Sequence, residues 1–124
     1  MMSWCIVFLG GGLGSVCRYF LAKQWNTDQE NMVFPLGTFL ANILSCYILG
    51  ILIQKQINGP VNEDLRLLVA TGFCGGFSTF STFGYEIYIY LQKGQLWFGL
   101  GYILLSLILG LAAIYLGIKT NQLT

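Results

Sequence analysis

The sequence predicts an all-α integral membrane protein of four transmembrane helices, the third broken near its middle. Hydrophobic residues make up 56% of the 124-residue chain and charged residues only 9%, against about 25% charged in an ordinary soluble domain. Four stretches carry no charge at all: residues 1–17, 31–54, 67–85 and 94–118. Each is close to the ~20 residues a helix needs to cross a hydrocarbon core of ~30 Å, and a soluble core helix is rarely so apolar on every face. The break follows from Gly75-Gly76 and the hydroxyl-bearing Ser78, Thr79, Ser81 and Thr82. Each glycine costs about 1 kcal/mol in a helix relative to alanine, and the hydroxyls compete for backbone hydrogen bonds.

Taken in order, helix 1 covers about 2–22. No basic region precedes its apolar run and Arg18 stands at the far end, so it reads as a retained helix rather than a secretory signal. A polar segment, 23–31, leads to helix 2 at about 32–53, with Pro35 in the first turn, where a missing N–H costs little. The longest polar connection, 54–64, contains a Gly59-Pro60 turn signal. Helix 3 covers about 65–92, entered through Glu63-Asp64, whose charge suits a helix N-terminus. Its break at 75–79 separates a half at 65–74 from one at 80–92. Unwound backbone at membrane depth persists only when buried in protein or lining a polar site; the alternative is a continuous helix whose small residues pack closely. Helix 4 covers about 95–118. All four belong to a single transmembrane domain, 1–124, because the length admits no second one.

Several functions are excluded. The chain has no histidine, the commonest general base and metal ligand, and its apolar regions offer one carboxylate, Glu86, and no pair. Cys5, Cys17, Cys46 and Cys74 lie in apolar segments without CxxC spacing and read as small buried side chains. Residues 10–14, Gly-Gly-Gly-Leu-Gly, lack the GxGxxG spacing and follow no strand, so no nucleotide site is expected. Gly10 with Gly14, and Gly72 with Gly76, have the spacing of close helix packing. No enzyme activity and no nucleic-acid partner are expected.

Charge leaves orientation undecided. Four crossings put Lys55, Arg66 and Lys119 on one side and Arg18, Lys23 and Lys93 on the other, so the usual excess of cytoplasmic Lys and Arg is missing. Such a chain can insert both ways, and opposite insertions can pair as an antiparallel dual-topology homodimer. The polar residues at membrane depth are functional candidates by default. Thr38 and Asn42 share a face of helix 2 and Tyr102 and Ser106 a face of helix 4, while Ser78, Thr79, Ser81 and Thr82 crowd the break. This donor-rich, uncharged set suits a small, strongly hydrated anion better than a cation. Phe80 and Phe83 stand three apart among these hydroxyls, and ring edges carry partial positive charge. Arg18 can snorkel to the interface, with a structural or vestibule role. Glu86, a turn beyond Phe83, can pair, bond Tyr102 or line a path.

Residues 72–83, Gly-Phe-Cys-Gly-Gly-Phe-Ser-Thr-Phe-Ser-Thr-Phe, closely resemble the helix 3 signature of the Fluc (CrcB-type) fluoride channels. Residues 37–42, Gly-Thr-Phe-Leu-Ala-Asn, resemble their helix 2 motif, and 11–19, Gly-Gly-Leu-Gly-Ser-Val-Cys-Arg-Tyr, their helix 1 motif. Ser78 departs from the more usual threonine, and either residue keeps the backbone carbonyl. The resemblance covers essentially the whole chain and implies a fluoride channel of the cell membrane, an antiparallel homodimer with two pores. Phe80 and Phe83 would be the pore phenylalanines and Asn42 the pore asparagine. Ser81, Thr82, Tyr102 and Ser106 would extend the polar track, with Glu86 near it, Thr38 supporting Asn42 and Arg18 near a vestibule. Gly75 and Ser78 would offer backbone carbonyls from both subunits to a structural sodium ion.

The implied mechanism is passive export: fluoride enters cells as neutral hydrofluoric acid, dissociates in the less acidic cytoplasm and leaves through the channel. Two rivals stand beside it. A small multidrug exporter also has four helices and dual topology but needs a membrane-embedded acidic residue for proton coupling; helix 1 has none, and Glu86 comes late in helix 3. A non-conducting assembly subunit would show no flux alone and would co-purify with a partner.

Overall fold

The computed structural model describes residues 2–26 and 33–122. Among them, four helices are long and apolar enough to cross a bilayer. Helix α1 is Ser3–Trp25 and α2 is Leu36–Asn58. The third span, Glu63–Gln92, is divided into α3, residues 63–77, and α4, Phe80–Gln92. Helix α5 is Leu96–Gln122.

The helix ends differ from the expected ones for local reasons. Pro35 lies just before α2 as its cap rather than inside the first turn; residue 32, the expected start, and residues 27–31 of the preceding polar segment lie outside the described residues. At its other end α2 continues past 53 to Asn58, because Gln54 Nε2 donates to Asn58 Oδ1 one turn on (3.0 Å) and the Gly59 N–H closes on Lys55 O (3.2 Å). Helix α3 opens at Glu63 because Asn62 Oδ1 caps it, accepting from Asp64 N (2.8 Å) and Leu65 N (3.4 Å). An ion pair from Glu63 to Arg66 spans this first turn.

The break lies at Ser78-Thr79, not across 75–79. Both residues are extended, Ser78 at φ −80°, ψ 157° and Thr79 at φ −151°, ψ 123°, while Gly75 is helical at φ −63°, ψ −36°. The glycines do a different job: a Cβ on Gly76 would run into the Gly11 carbonyl, one on Gly10 into Leu68 O, and one on Gly14 into Phe73 O. They let α1 and α3 touch backbone to backbone. The hydroxyls make the break. Ser78 Oγ donates back to Cys74 O (2.7 Å), ending α3, and Thr79 Oγ1 accepts from Thr82 N (3.2 Å), starting α4. Within α3, Leu67–Cys74 is wound as a π-helix, a rare form that usually appears as single turns and that no sequence pattern announced.

A second glycine seam joins α2 to α5, where a Cβ on Gly50 would strike Ile114 O and one on Gly117 would strike Tyr47 O. Between α4 and α5 the turn through Lys93 and Gly94 is tight. Gly94 has φ +70°, Gly94 N donates to Leu91 O (3.1 Å) and Gln95 N to Tyr90 O (2.8 Å), the double closure of a Schellman motif. The buried aromatic core is Tyr90 and Tyr102 with Ile89, flanked by Phe34, Phe39 and Phe83. Trp4, Phe8 and Trp97 are widely exposed, as lipid-facing side chains are in a membrane protein.

A polar groove as candidate functional site

Two clusters of polar groups stand along α2, α4 and α5. At one end lies Glu86, 5% exposed, presented by the buried face of α4. Three donors converge on its carboxylate. Thr38 Oγ1 donates to Oε2 (2.8 Å), Tyr102 Oη to Oε1 (2.9 Å), and Asn26 Nδ2 reaches Oε2 at 3.5 Å. A carboxylate carried into a protein interior needs such partners. Tyr102 is itself held by edge-on packing against Phe34 (5.3 Å, 76°) and by the Phe83 ring (4.9 Å, 59°).

One turn further along α2, Asn42 meets the break. Its Oδ1 accepts the Thr79 N–H (2.8 Å) and its Nδ2 points at Thr79 O (3.4 Å). The amide therefore stands in for the helical bonds that the extended residues gave up. Beside it a groove of about 270 Å³ is lined by Asn42, Cys46, Thr79, Phe80, Phe83 and Ser106 among others. The Ser106 hydroxyl is buried there and has no hydrogen-bond partner among the described residues. Phe83 is half-buried, whereas Phe80 stands 86% exposed at the mouth, its ring centroid 6.4 Å from that of Phe83.

The structure brings Thr38, Glu86 and Tyr102 into one cluster and Asn42, Phe80, Phe83 and Ser106 into the groove, with Phe83 touching both. Thr38 bonds Glu86, not Asn42. Thr82 is half-buried, and Ser81 is exposed with its hydroxyl 3.4 Å from that of Thr79. Arg18 lies apart from the groove: its Nε donates to Gly76 O (3.0 Å), a carbonyl whose usual helical donor is lost at the break. Gly75 is exposed, and the Thr79 N–H that would ordinarily bond its carbonyl is turned to Asn42 instead. Two residues of these clusters were missed. Cys46 was legible, being four beyond Asn42 on the same helix face. Asn26 was not, since nothing in a polar segment after a helix marks one amide as turning inward.

A profile of the family described as CrcB-like protein, Camphor Resistance (CrcB), matches residues 5–118. A relative from Gloeothece citriformis, named a fluoride-specific ion channel, is 43% identical over 118 residues, 95% of each chain. One of the same name from Phocaeicola vulgatus is 41% identical, covering 98% of this chain and all of the relative. A third, from Pyrococcus horikoshii, is 33% identical over 90% of this chain and 89% of its own. With its four membrane-length helices and a match along nearly its whole length, the chain is a multi-pass membrane protein of the CrcB-like family.

Proposed function

We propose that this protein is a fluoride-selective channel that exports cytoplasmic fluoride passively, and not an enzyme. The observation that carries the reading is the groove. The Asn42 amide, the Ser106 hydroxyl, unpartnered among the described residues, and the two phenylalanine rings line one cavity, continued through Phe83 to Tyr102 and the Thr38–Glu86 cluster. Relatives bearing the name fluoride-specific ion channel supply the ion. Weak, multiple contacts suit conduction, since binding must be favourable enough to admit an ion and loose enough to release it. Asn42 Nδ2, the Ser81, Thr82 and Ser106 hydroxyls and the edges of Phe80 and Phe83 replace water around the anion, and the Tyr102 hydroxyl joins them by exchanging its proton from Glu86 Oε1. Glu86 and Thr38 form one end of the route, and Arg18 supports the break from α1 rather than facing the ion.

Assembly follows from exposure. The groove opens at Phe80, and a second copy inserted the opposite way covers it, giving an antiparallel homodimer with two pores. The balanced Lys and Arg distribution supports opposite insertion. The backbone carbonyls of Gly75 and Ser78, from both copies, would hold a sodium ion at the centre. The donor set fits, because neutral oxygens freed by unwinding are the ligands hard monovalent cations take in membrane proteins, and Gly75 O has lost its helical donor. Such an ion would contribute positive charge and cross-link the copies.

The test is fluoride efflux from liposomes holding only this purified chain, with chloride as control. Fluoride passes, chloride does not, and Phe80→Ile and Phe83→Ile each abolish the flux while the dimer survives size exclusion. Undiminished flux through both variants, or proton-dependent efflux of an organic cation, would overturn the reading.

A further inference from the structure

The α1 exit contains a side chain with two separate tasks. Asn26 follows the last turn of α1, its N–H bonded to Ala22 O (2.9 Å). Its side-chain Oδ1 accepts the Gly37 N–H (2.7 Å), an N-terminal amide of α2 without a helical acceptor. That bond fixes which way the amide points. Its Nδ2 is thereby directed to Thr38 Oγ1 (3.1 Å) and toward Glu86 Oε2 (3.5 Å). Thr38, 2% exposed, accepts from Asn26 and commits its own proton to Glu86. Gly37 makes room for this, since a Cβ there would lie 2.6 Å from Leu21 O and 2.9 Å from Asn26 Oδ1.

We propose that Asn26 is a positioning residue for the Glu86 end of the pathway, one side of its amide capping α2 and the other setting the Thr38 hydroxyl toward Glu86. The role in permeation rests on the channel reading above; the bond network does not. With Asn26 in place, the Thr38 hydroxyl is held on the carboxylate beside that of Tyr102, and an arriving anion must exchange with that fixed set rather than with a rotating group. Asn26 bonds Thr38 and reaches the carboxylate itself, one turn of α2 away from Asn42, so its effect is on the arrangement of Glu86.

Asn26→Asp separates the two tasks. It keeps an oxygen for the Gly37 N–H, removes the amide donor and sets a second carboxylate beside Glu86, a pair that shares a proton or repels. The expected result is folded, dimeric protein whose fluoride flux falls at least about tenfold, with partial recovery in Asn26→Asp/Glu86→Gln, where a donor faces the new carboxylate. A second readout is the infrared carboxyl band assigned to Glu86 by its loss in Glu86→Gln, taken in each background; it shifts in Asn26→Asp. Should that variant not fold, the same band shifts in Asn26→Ala. Wild-type flux in Asn26→Asp with an unmoved Glu86 band would leave Asn26 a helix cap only and overturn the proposal. If the unaltered chain passes no fluoride, the channel reading fails, and the band alone decides the role of Asn26.

Discussion

The two halves of the third span behave as different materials. Helix α3 meets α1 across glycines, where Gly10, Gly14, Gly72 and Gly76 leave no space for a side chain and size is the whole criterion. Helix α4 faces α2 and α5 through Glu86, Phe83 and Tyr90, where what matters is which atom donates and which accepts. Without a hydrophobic drive between helices in lipid, close van der Waals approach is what holds the first kind of contact, whereas the second is stabilised by satisfying polar atoms that hydrocarbon would leave unpaired. Two residues, Ser78 and Thr79, divide these regimes, and Asn42 stitches the division to α2. A rigid seam on one side of a break and a chemically specified surface on the other is an economical way to hold an irregular backbone steady at membrane depth.

The largest expected effect lies on the seam. In Gly14→Ala the methyl group would press on Phe73 O and lie 2.7 Å from Phe77 N. Backbone cannot give as a side chain can, so overpacking of about 3 kcal/mol or more is expected, read as loss of a monodisperse peak in detergent. If that variant is as heat-stable as the parent, the seam is not size-limited and the contrast fails. Next comes the stitch. Asn42→Asp retains the oxygen that accepts Thr79 N–H but loses the amide donor, so the fold holds while flux is abolished; Asn42→Leu also strands that N–H, costing about 1–3 kcal/mol in thermal unfolding. Equal melting of the two variants would mean that the Thr79 bond carries little. Smallest is Gly12→Ala, on the same helix as Gly14 but with nothing among the described residues within 4 Å of the new atom. It should be neutral or stabilising by no more than about 1 kcal/mol, and it sharpens the claim that position, not glycine content, matters.

Composition and charge-free runs made the four spans legible, because crossing hydrocarbon is a condition on length and polarity alone. The interruption in the third span was legible too, but its location was not. Gly75-Gly76 looked like the weak point because glycine is a poor helix former, yet both residues stay helical, and at Gly76 the local penalty is offset by close packing against Gly11. A propensity belongs to one residue; a close approach belongs to two helices and has no signature in either alone. The i, i+4 spacings placed Thr38 with Asn42 and Tyr102 with Ser106 on common faces, since that follows from helix geometry. Tyr102 bonds Glu86, one of the alternatives the sequence offered, but the partner of Thr38 did not follow. Thr38 bonds Glu86, a residue of another helix, and Arg18 reaches Gly76 O across the α1–α3 seam, contacts that depend on the rotation of one helix against another. The π-wound stretch at Leu67–Cys74, whose Gly72 lies against Gly10 and Val7 O of α1, was likewise not marked by its own residues.

The small closure at Gly94 bears on how the molecule is made. A chain entering a bilayer must take its loops across or leave them behind, and a loop's exposed carbonyls resist leaving water. At the end of α4, the carbonyls of Tyr90 and Leu91 are already bonded within the turn, so α4 and α5 can enter the membrane together as a pre-closed hairpin. A β-branched residue at Gly94, forced to adopt a positive φ, would reopen those bonds, and the damage would appear during synthesis, as failed integration, before any finished molecule could be assayed.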